Sequence, residues 1–228
     1  MTTVVERRRA LAAAEEVAEG LFERIQSLGL VRAGCTEKQI SDEICELASR
    51  EFGVAKYWHK RVVRAGENTL CIYAENPPLR MVEADDIVFV DLGPILPPWE
   101  ADYGRTFVLG SNADKTRLGA ALEPLWLAVA SYARSRPECT GGQLFSFLDE
   151  QARQGGWSLG GPHAGHLIGQ FPEEPDRWDL PENYVAIDNL KELRAPDLRG
   201  EAREWVLEVH LVDSARRFGG FFEQWMPL

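Results

Sequence analysis

Asp91 closes an apolar run of strand formers, Ile87-Val88-Phe89-Val90. A buried strand accepts a carboxylate at its end only where something cationic or a proton meets it. Asp102 follows eleven residues on, just before a second β-type run, Thr106-Phe107-Val108-Leu109. Gly93, Pro94, Pro97 and Pro98 mark a turn between the two runs. Paired as a hairpin, the runs let the two carboxylates face each other, and facing carboxylates in an apolar setting repel unless they share a proton or a metal. Two more acids interrupt strand-like runs further along. Glu208 stands in Trp205-Val-Leu-Glu-Val-His-Leu-Val212, and Glu223 is the lone charge among the aromatics of Phe218–Trp225. His166 sits among glycines and short apolar residues in Gly161–Gly169.

Four acids and one imidazole make a set of mostly hard oxygen donors. Such a set suits a pair of divalent ions, Mn²⁺, Fe²⁺, Co²⁺ or Zn²⁺, bridged by carboxylates. A dinuclear site activates water and polarises a carbonyl or phosphoryl oxygen. His210 lies two residues beyond Glu208 and so shares its face of the strand, where it is placed to orient a ligand.

The elements that must position these groups follow from periodicity and punctuation. Leu11, Ala14, Val17, Leu21, Ile25 and Leu28 step by three or four and predict a helix from Val4 to Ser27, closed by Gly29. Thr36-Glu-Lys-Gln39 is a capping box that opens a second helix carrying Ile40, Ile44, Leu47 and Ala48, with Gly53 ending it. Short strands are expected at Arg61–Arg64 and Leu70–Tyr73, with a turn at Gly66–Asn68, before the Asp86–Leu109 hairpin. After Gly110 the order starts again. Leu118, Leu122, Leu125, Val129 and Tyr132 define a long helix, and Thr140-Gly-Gly-Gln143 opens another with Leu144, Leu148 and Ala152. Cys35-Thr36-x-x-Gln39-Ile40 recurs 104 positions later as Cys139-Thr140-x-x-Gln143-Leu144, and the same offset carries His59 onto His163. The expectation is one α+β domain of two ααβ halves, about 1–110 and 111–228, related by a pseudo-twofold with a site between them. The polar segment Asp176–Arg203, with Pro181, Pro196 and Gly200, reads as a surface excursion.

The 228 residues carry a formal net charge of −11, which argues against nucleic acid or an anionic membrane as partner. No apolar run approaches the roughly 18 residues that span a bilayer, and the N-terminus has no signal-peptide core, so a cytoplasmic protein is expected. Cys35, Cys45, Cys71 and Cys139 form no CxxC pair and read as reduced thiols. Trp58, Trp99, Trp157 and Trp178 stand in loop-like stretches and read as core or interface, with a pocket lining as the alternative.

Taken together, the motifs Val90-Asp91-Leu-Gly93, Glu100-Ala-Asp102-Tyr-Gly-Arg105-Thr106, Gly165-His166-Leu-Ile-Gly169, Leu207-Glu208 and Phe222-Glu223 resemble the pita-bread metallopeptidases, which include methionine aminopeptidase, prolidase and Xaa-Pro aminopeptidase. The resemblance runs from Thr36 to the C-terminus and looks like a bare catalytic domain without the N-terminal domain of the prolidases. It implies a pita-bread fold and five metal ligands, Asp91, Asp102, His166, Glu208 and Glu223, holding two divalent ions. It implies Glu208 or Glu223 as base toward water and Arg105 as the tie on a neighbouring carboxylate. Two positions depart from the family, where many of the peptidases carry histidines outside the metal ligands; here they are Tyr73 and Glu173. His59 and His163 are candidates to fill in, and Tyr73 and Glu173 to donate or accept a proton in their place.

Three readings follow. The first is a dimetal hydrolase cleaving a peptide or amide bond near a free N-terminus. The second is the same fold and metal site used on a small molecule, by amide hydrolysis or iron-dependent oxidation. The third, a binding module without catalysis, predicts decay of a ligand set that is instead whole. The partner is then a peptide or small-molecule substrate, and a homodimer is plausible for so short a chain.

Overall fold

The computed structural model describes residues 3–172, 180–197 and 199–228. Helix α1, Val4–Ser27, starts at a capping box between Thr3 and Glu6. It buries Leu11, Ala14, Ala18, Leu21, Phe22 and Ile25. The buried stripe therefore takes in Ala18 and Phe22, while Leu28 is exposed; Phe22 turns inward because its ring packs on Tyr103, with centroids 5.0 Å apart. Helix α2, Glu37–Phe52, opens at the Thr36 box and stops at Gly53, whose φ of 68° is the left-handed cap that glycine adopts at no steric cost.

Strand β1 is Val62–Ala65. The strand expected at Leu70–Tyr73 does not form. Gly66–Leu70 is a single 3-10 turn, and the chain then runs irregularly to β2, Ile87–Leu92. One carbonyl of the expected strand is taken by a side chain instead: the Arg64 guanidinium donates to Cys71 O and, two residues past the stretch, to Glu75 O. The expected hairpin is present. β2 pairs with β5, Tyr103–Val108, with Asp91 opposite Gly104. Between them lies a small ribbon, β3 (Ile95–Leu96) on β4 (Trp99–Glu100).

The second half runs α3 (Ala113–Arg134), α4 (Gly141–Gln154), β6 (Trp157–Leu159), β7 (His163–Leu167), β8 (Tyr184–Ala186), β9 (Trp205–Asp213) and β10 (Gly219–Met226). The part of Asp176–Arg203 that is described is not all excursion. Tyr184–Ala186 is a strand, paired with β7, and Val185 is buried. Its three residues are too few for a periodic signal.

The strands form one antiparallel sheet in the order β1-β2-β5-β10-β9-β7-β8, with β6 also on β9. Alternation assigns its two faces. Val88, Val90 and Leu92 pack with α1 and α2, whereas Leu207, Val209 and Leu211 pack with α3 and α4. Residues of the other parity, Asp91, Glu208 and Glu223 among them, point to the opposite face. Both helix pairs thus cover one face and leave the acids together on the other.

The repeat read in the sequence has a counterpart in hydrogen bonding. Val82 N donates to Cys35 O at 2.9 Å and Leu193 N to Cys139 O at 2.8 Å. Glu37 N donates to Arg80 O and Gly141 N to Lys191 O, at 3.0 and 3.2 Å. Each N-cap threonine makes the same isolated bridge, Thr36 to Met81 and Thr140 to Glu192. The match stops short of the histidines, since His59 precedes β1 in an irregular stretch and His163 begins β7. All four cysteines are free. No described helix is long and apolar enough to cross a membrane.

Where α1 meets β10, the Glu15 carboxylate accepts from Trp225 N at 2.8 Å through Oε1, and its Oε2 is buried without a partner among the described residues. Burial pushes its pKa up to about 8, against the opposing pull of the Trp225 amide. From the ordinary 4.5 up to about 8 the folded chain keeps a proton that the unfolded chain has released, so stability falls as pH rises through that window. Glu15→Gln removes the effect. Its stability relative to wild type should grow across that interval and level off above it, as read by urea midpoints at a series of pH values; parallel curves would remove Glu15 from the account.

Candidate metal centre

Strand register sets the site. Asp91 lies opposite Gly104, Gly104 opposite Glu223, and Glu223 opposite Glu208. The three acids therefore stand in one row across four strands, β2, β5, β10 and β9. Gly104 has no side chain in that row because a Cβ there would meet the Phe221 ring at 2.7 Å and Glu223 Cβ at 3.1 Å. Asp102 lies two residues before Gly104, one pleat along on the same face. His166 pairs with Val206 and reaches the same end of the row from β7.

Asp102 is the centre of the cluster. Its Oδ2 is 3.1 Å from His166 Nε2, and its Oδ1 is 3.2 Å from His59 Nε2. His166 Nε2 is also 3.7 Å from Glu208 Oε1 and 3.9 Å from Glu223 Oε1. His59 Nε2 is 3.5 Å from Asp91 Oδ1. Two overlapping groups could each hold a metal ion, His59/Asp91/Asp102 and Asp102/His166/Glu223.

Both imidazoles are oriented by the same device. His166 Nδ1 is 2.8 Å from Leu167 O and His59 Nδ1 is 2.7 Å from Lys60 O. A carbonyl only accepts, so each Nδ1 donates; burial works against charging either ring, but the carboxylates raise both, so without a metal ion each Nε2 also carries a proton toward them. Metal-binding histidines are commonly held this way. The indole of Trp58 sits against both rings, 4.4 Å from His59 and 5.4 Å from His166 between centroids. Its Nε1 donates to Ala101 O at 3.0 Å.

The electrostatics are those of crowded anions. Burial raises Glu223 well above the ordinary range, and Asp102, Asp91 and Glu208 add to it. Glu208 and Asp91 are raised chiefly by burial as well. Asp102 goes the other way: burial works against its charge, but the flanking His59 and His166 outweigh burial and hold it low. Asp91 Oδ1 is buried and accepts no hydrogen bond among the described residues.

The other expected residues divide. Tyr73 is 51% exposed and lies beside His59, rings 5.7 Å apart, with its hydroxyl 3.4 Å from Lys60 N. His163 is exposed at the head of β7, against Tyr184, and the structure does not bring it to the carboxylates. Glu173 and Trp178 lie outside the described residues. His210 shares the sheet face of Glu208, but its Nε2 is turned to Thr69 O, 2.8 Å away, and burial drives its pKa down to about 4. Arg105 was expected to tie a carboxylate and instead donates to Glu223 O at 2.8 Å and to the Gln224 side chain. The rings of Tyr103 and Phe222, each 3.7 Å away, hold its guanidinium on that line. One positioning residue entered the sequence reading only as the first position of a motif, with no role assigned to it. Glu100 is fully buried, its Oε2 accepts Gly169 N at 3.1 Å and its own N donates to Gly169 O at 3.0 Å. This clamps the strand end that carries His166 to the β3–β4 ribbon.

The sequence model of metallopeptidase family M24 matches residues 8–194. The chain belongs to metallopeptidase family M24. Glu208 and Glu223 lie beyond the matched span of this M24 chain. An Xaa-Pro dipeptidase of Lactobacillus helveticus is 27% identical over 124 residues, which are 51% of this chain and 33% of that protein, so the chain spans about a third of that curated relative. The fold is that of a prolidase from Thermococcus sibiricus, with a TM-score of 0.71 at 19% identity over 96% of this chain and 55% of that one. It is also that of a methionine aminopeptidase from Rickettsia prowazekii, with a TM-score of 0.73 at 16% identity over 98% of this chain and 93% of that one. The M24 architecture is the pita-bread fold that the sequence motifs implied.

His166 owes its position to the residue before it. Gly165 has φ of 141°, and a Cβ there would stand 2.1 Å from Val206 O. Gly165→Ala should cost about 2–4 kcal/mol of unfolding free energy, because backbone and not a flexible side chain has to yield. Urea denaturation measures this; an unchanged midpoint would show that the β7–β9 crossing is not tight.

Proposed function

We propose that this chain is the catalytic domain of a divalent-metal-dependent hydrolase that cleaves a peptide or amide bond near a free N-terminus. The observation that carries the reading is the row Asp91–Glu223–Glu208 with Asp102 one pleat away and an imidazole on each of its oxygens. Glu208 and Glu223 are directly opposed on neighbouring strands, an arrangement that repels unless a cation lies between them. Four carboxylates balance the charge of two divalent ions, and Asp91 Oδ1, which accepts no hydrogen bond among the described residues, is a donor left over for one of them. The donor set therefore fits Mn²⁺, Fe²⁺, Co²⁺ or Zn²⁺, held by Asp91, Asp102, His166, Glu208 and Glu223.

Bound in such a set, divalent ions acidify water and polarise a carbonyl. The protein's own part is to position and to move protons. Glu208 is the proposed base, since its side chain is 17% exposed where Asp102 and Glu223 are almost wholly enclosed, so it faces the open side of the row. Trp58 walls off the two imidazoles. The relatives named Xaa-Pro dipeptidase and methionine aminopeptidase make short peptides with proline second, or methionine first, the substrates to try first.

The Tyr73 position favours a second reading, a small-molecule amide hydrolysis or an iron-dependent oxidation. A half-exposed phenol bonded to Lys60 N stands where many of the peptidases present an imidazole.

Protein purified anaerobically without added metal should carry about two equivalents of transition metal by mass spectrometry, and Asp102→Ala, which removes the shared carboxylate, should lose both. Peptide hydrolysis in that variant should fall by more than the about 10–100-fold that losing an outer partner of a ligand costs. Iron as the main ion, with oxygen consumed and peptides untouched, would favour the second reading. No metal after reconstitution would sink both.

A further inference from the structure

We propose that His59 is a sixth protein ligand, completing with Asp91 and Asp102 a nitrogen-bearing site, so that each of the two ions has its own imidazole. This deepens the dinuclear reading above, on which it rests and which gives the imidazole role to His166 alone.

The geometry is that of donors around one point. Donor atoms bound to one ion at about 2.0–2.2 Å stand roughly 3.0–3.5 Å from one another in octahedral or tetrahedral arrangement. His59 Nε2 is 3.2 Å from Asp102 Oδ1 and 3.5 Å from Asp91 Oδ1. On the far side, His166 Nε2 is 3.1 Å from the other oxygen of Asp102. The carboxylate is thus divided between two histidines, each with its Nδ1 proton spent on the carbonyl of the next residue.

The site is built for His59. Its side chain is only 5% exposed, which disfavours a role in gripping substrate from the cleft. A Cβ at Gly93 would stand 2.2 Å from His59 Cδ2 and 2.3 Å from Trp58 Nε1, so the glycine after Leu92 is what lets the Trp58-His59 pair lie against the end of β2. Trp58 N donates to Gly93 O at 2.9 Å and fixes the approach. Among the described residues, nothing donates a hydrogen bond to Asp91 Oδ1, the atom facing His59. An added nitrogen donor shifts a carboxylate site away from Mn²⁺ toward Co²⁺ and Zn²⁺.

The test is titration of metal-stripped full-length protein with Co²⁺, followed by calorimetry and by visible absorption of the bound ion, with His59→Ala and His59→Gln compared with wild type. Wild type should bind two ions. Both variants should bind one unchanged and the other at least about 10–100-fold more weakly, with an altered spectrum for that ion. Added imidazole should restore the lost affinity in His59→Ala, which a merely structural histidine would not allow. Circular dichroism checks the fold, and His59→Gln keeps the test open if the alanine variant unfolds. Two ions bound by both variants as tightly as by wild type would overturn this inference alone. Both affinities lost together without imidazole rescue would also overturn it, assigning His59 to structure. Wild type that binds no Co²⁺ would overturn the dinuclear reading with it.

Discussion

The structure depends on an electrostatic conflict. Asp91, Glu223, Glu208 and Asp102 are brought to one face of one sheet by strand register. Each is largely removed from water, and removing charge from water is costly unless a counter-charge is held in good geometry. Two histidines offset part of it through Asp102, and proton uptake can offset more. The packing around them admits no easy retreat: Gly104 and Gly165 allow strands to approach so closely that side chains at those positions have no room. A fold that spends helix packing and glycine geometry to hold repelling groups together is one whose rigid half makes its reactive half possible.

That division runs through the sheet. One face is covered by α1 and α2 and by α3 and α4, over two apolar clusters. The other face carries the polar groups. Shared residues do the joining. Arg105 lies between Tyr103 and Phe222 while holding the carbonyl of Glu223, so the strand bearing a proposed ligand is fixed by stacking from both halves. Glu100 fixes the other flank by gripping Gly169, three residues past His166. Neither contact touches the carboxylate row, yet both set where it can be.

What was legible in the sequence was what is encoded locally. Thr36 and Thr140 announce their helices because a capping box needs only four residues. The β2–β5 hairpin shows in its apolar runs and its prolines. The carboxylate row could be read because an acid at the end of or within an apolar run is conspicuous, although its lateral alignment is a matter of register that no single strand reveals. What was missed depends on distant partners. Leu70–Tyr73 has strand composition, but Arg64 takes its Cys71 carbonyl and, just beyond, that of Glu75. β8 is three residues inside a polar segment and exists because β7 pairs with it. His59 was named only as a stand-in for an absent imidazole; it sits in an irregular stretch with no period at all, and only the folded chain shows that its imidazole reaches Asp102.

Strand order has a consequence for how the molecule is made. β10 comes last in chain order among the described strands but lies at the middle of the sheet, between β5 and β9. During synthesis the β1-β2-β5 portion emerges with an unpaired edge on β5, and β9 waits on the other side of the same gap. Pairings between residues so far apart in sequence are slow to form and leave open edges in the meantime. The wedge that closes them also brings Glu223 into the row. Completion of the sheet and completion of the anionic cluster are one event, so a nascent chain halted short of Gly219 holds Asp91 and Asp102 without the carboxylate that joins the two sides.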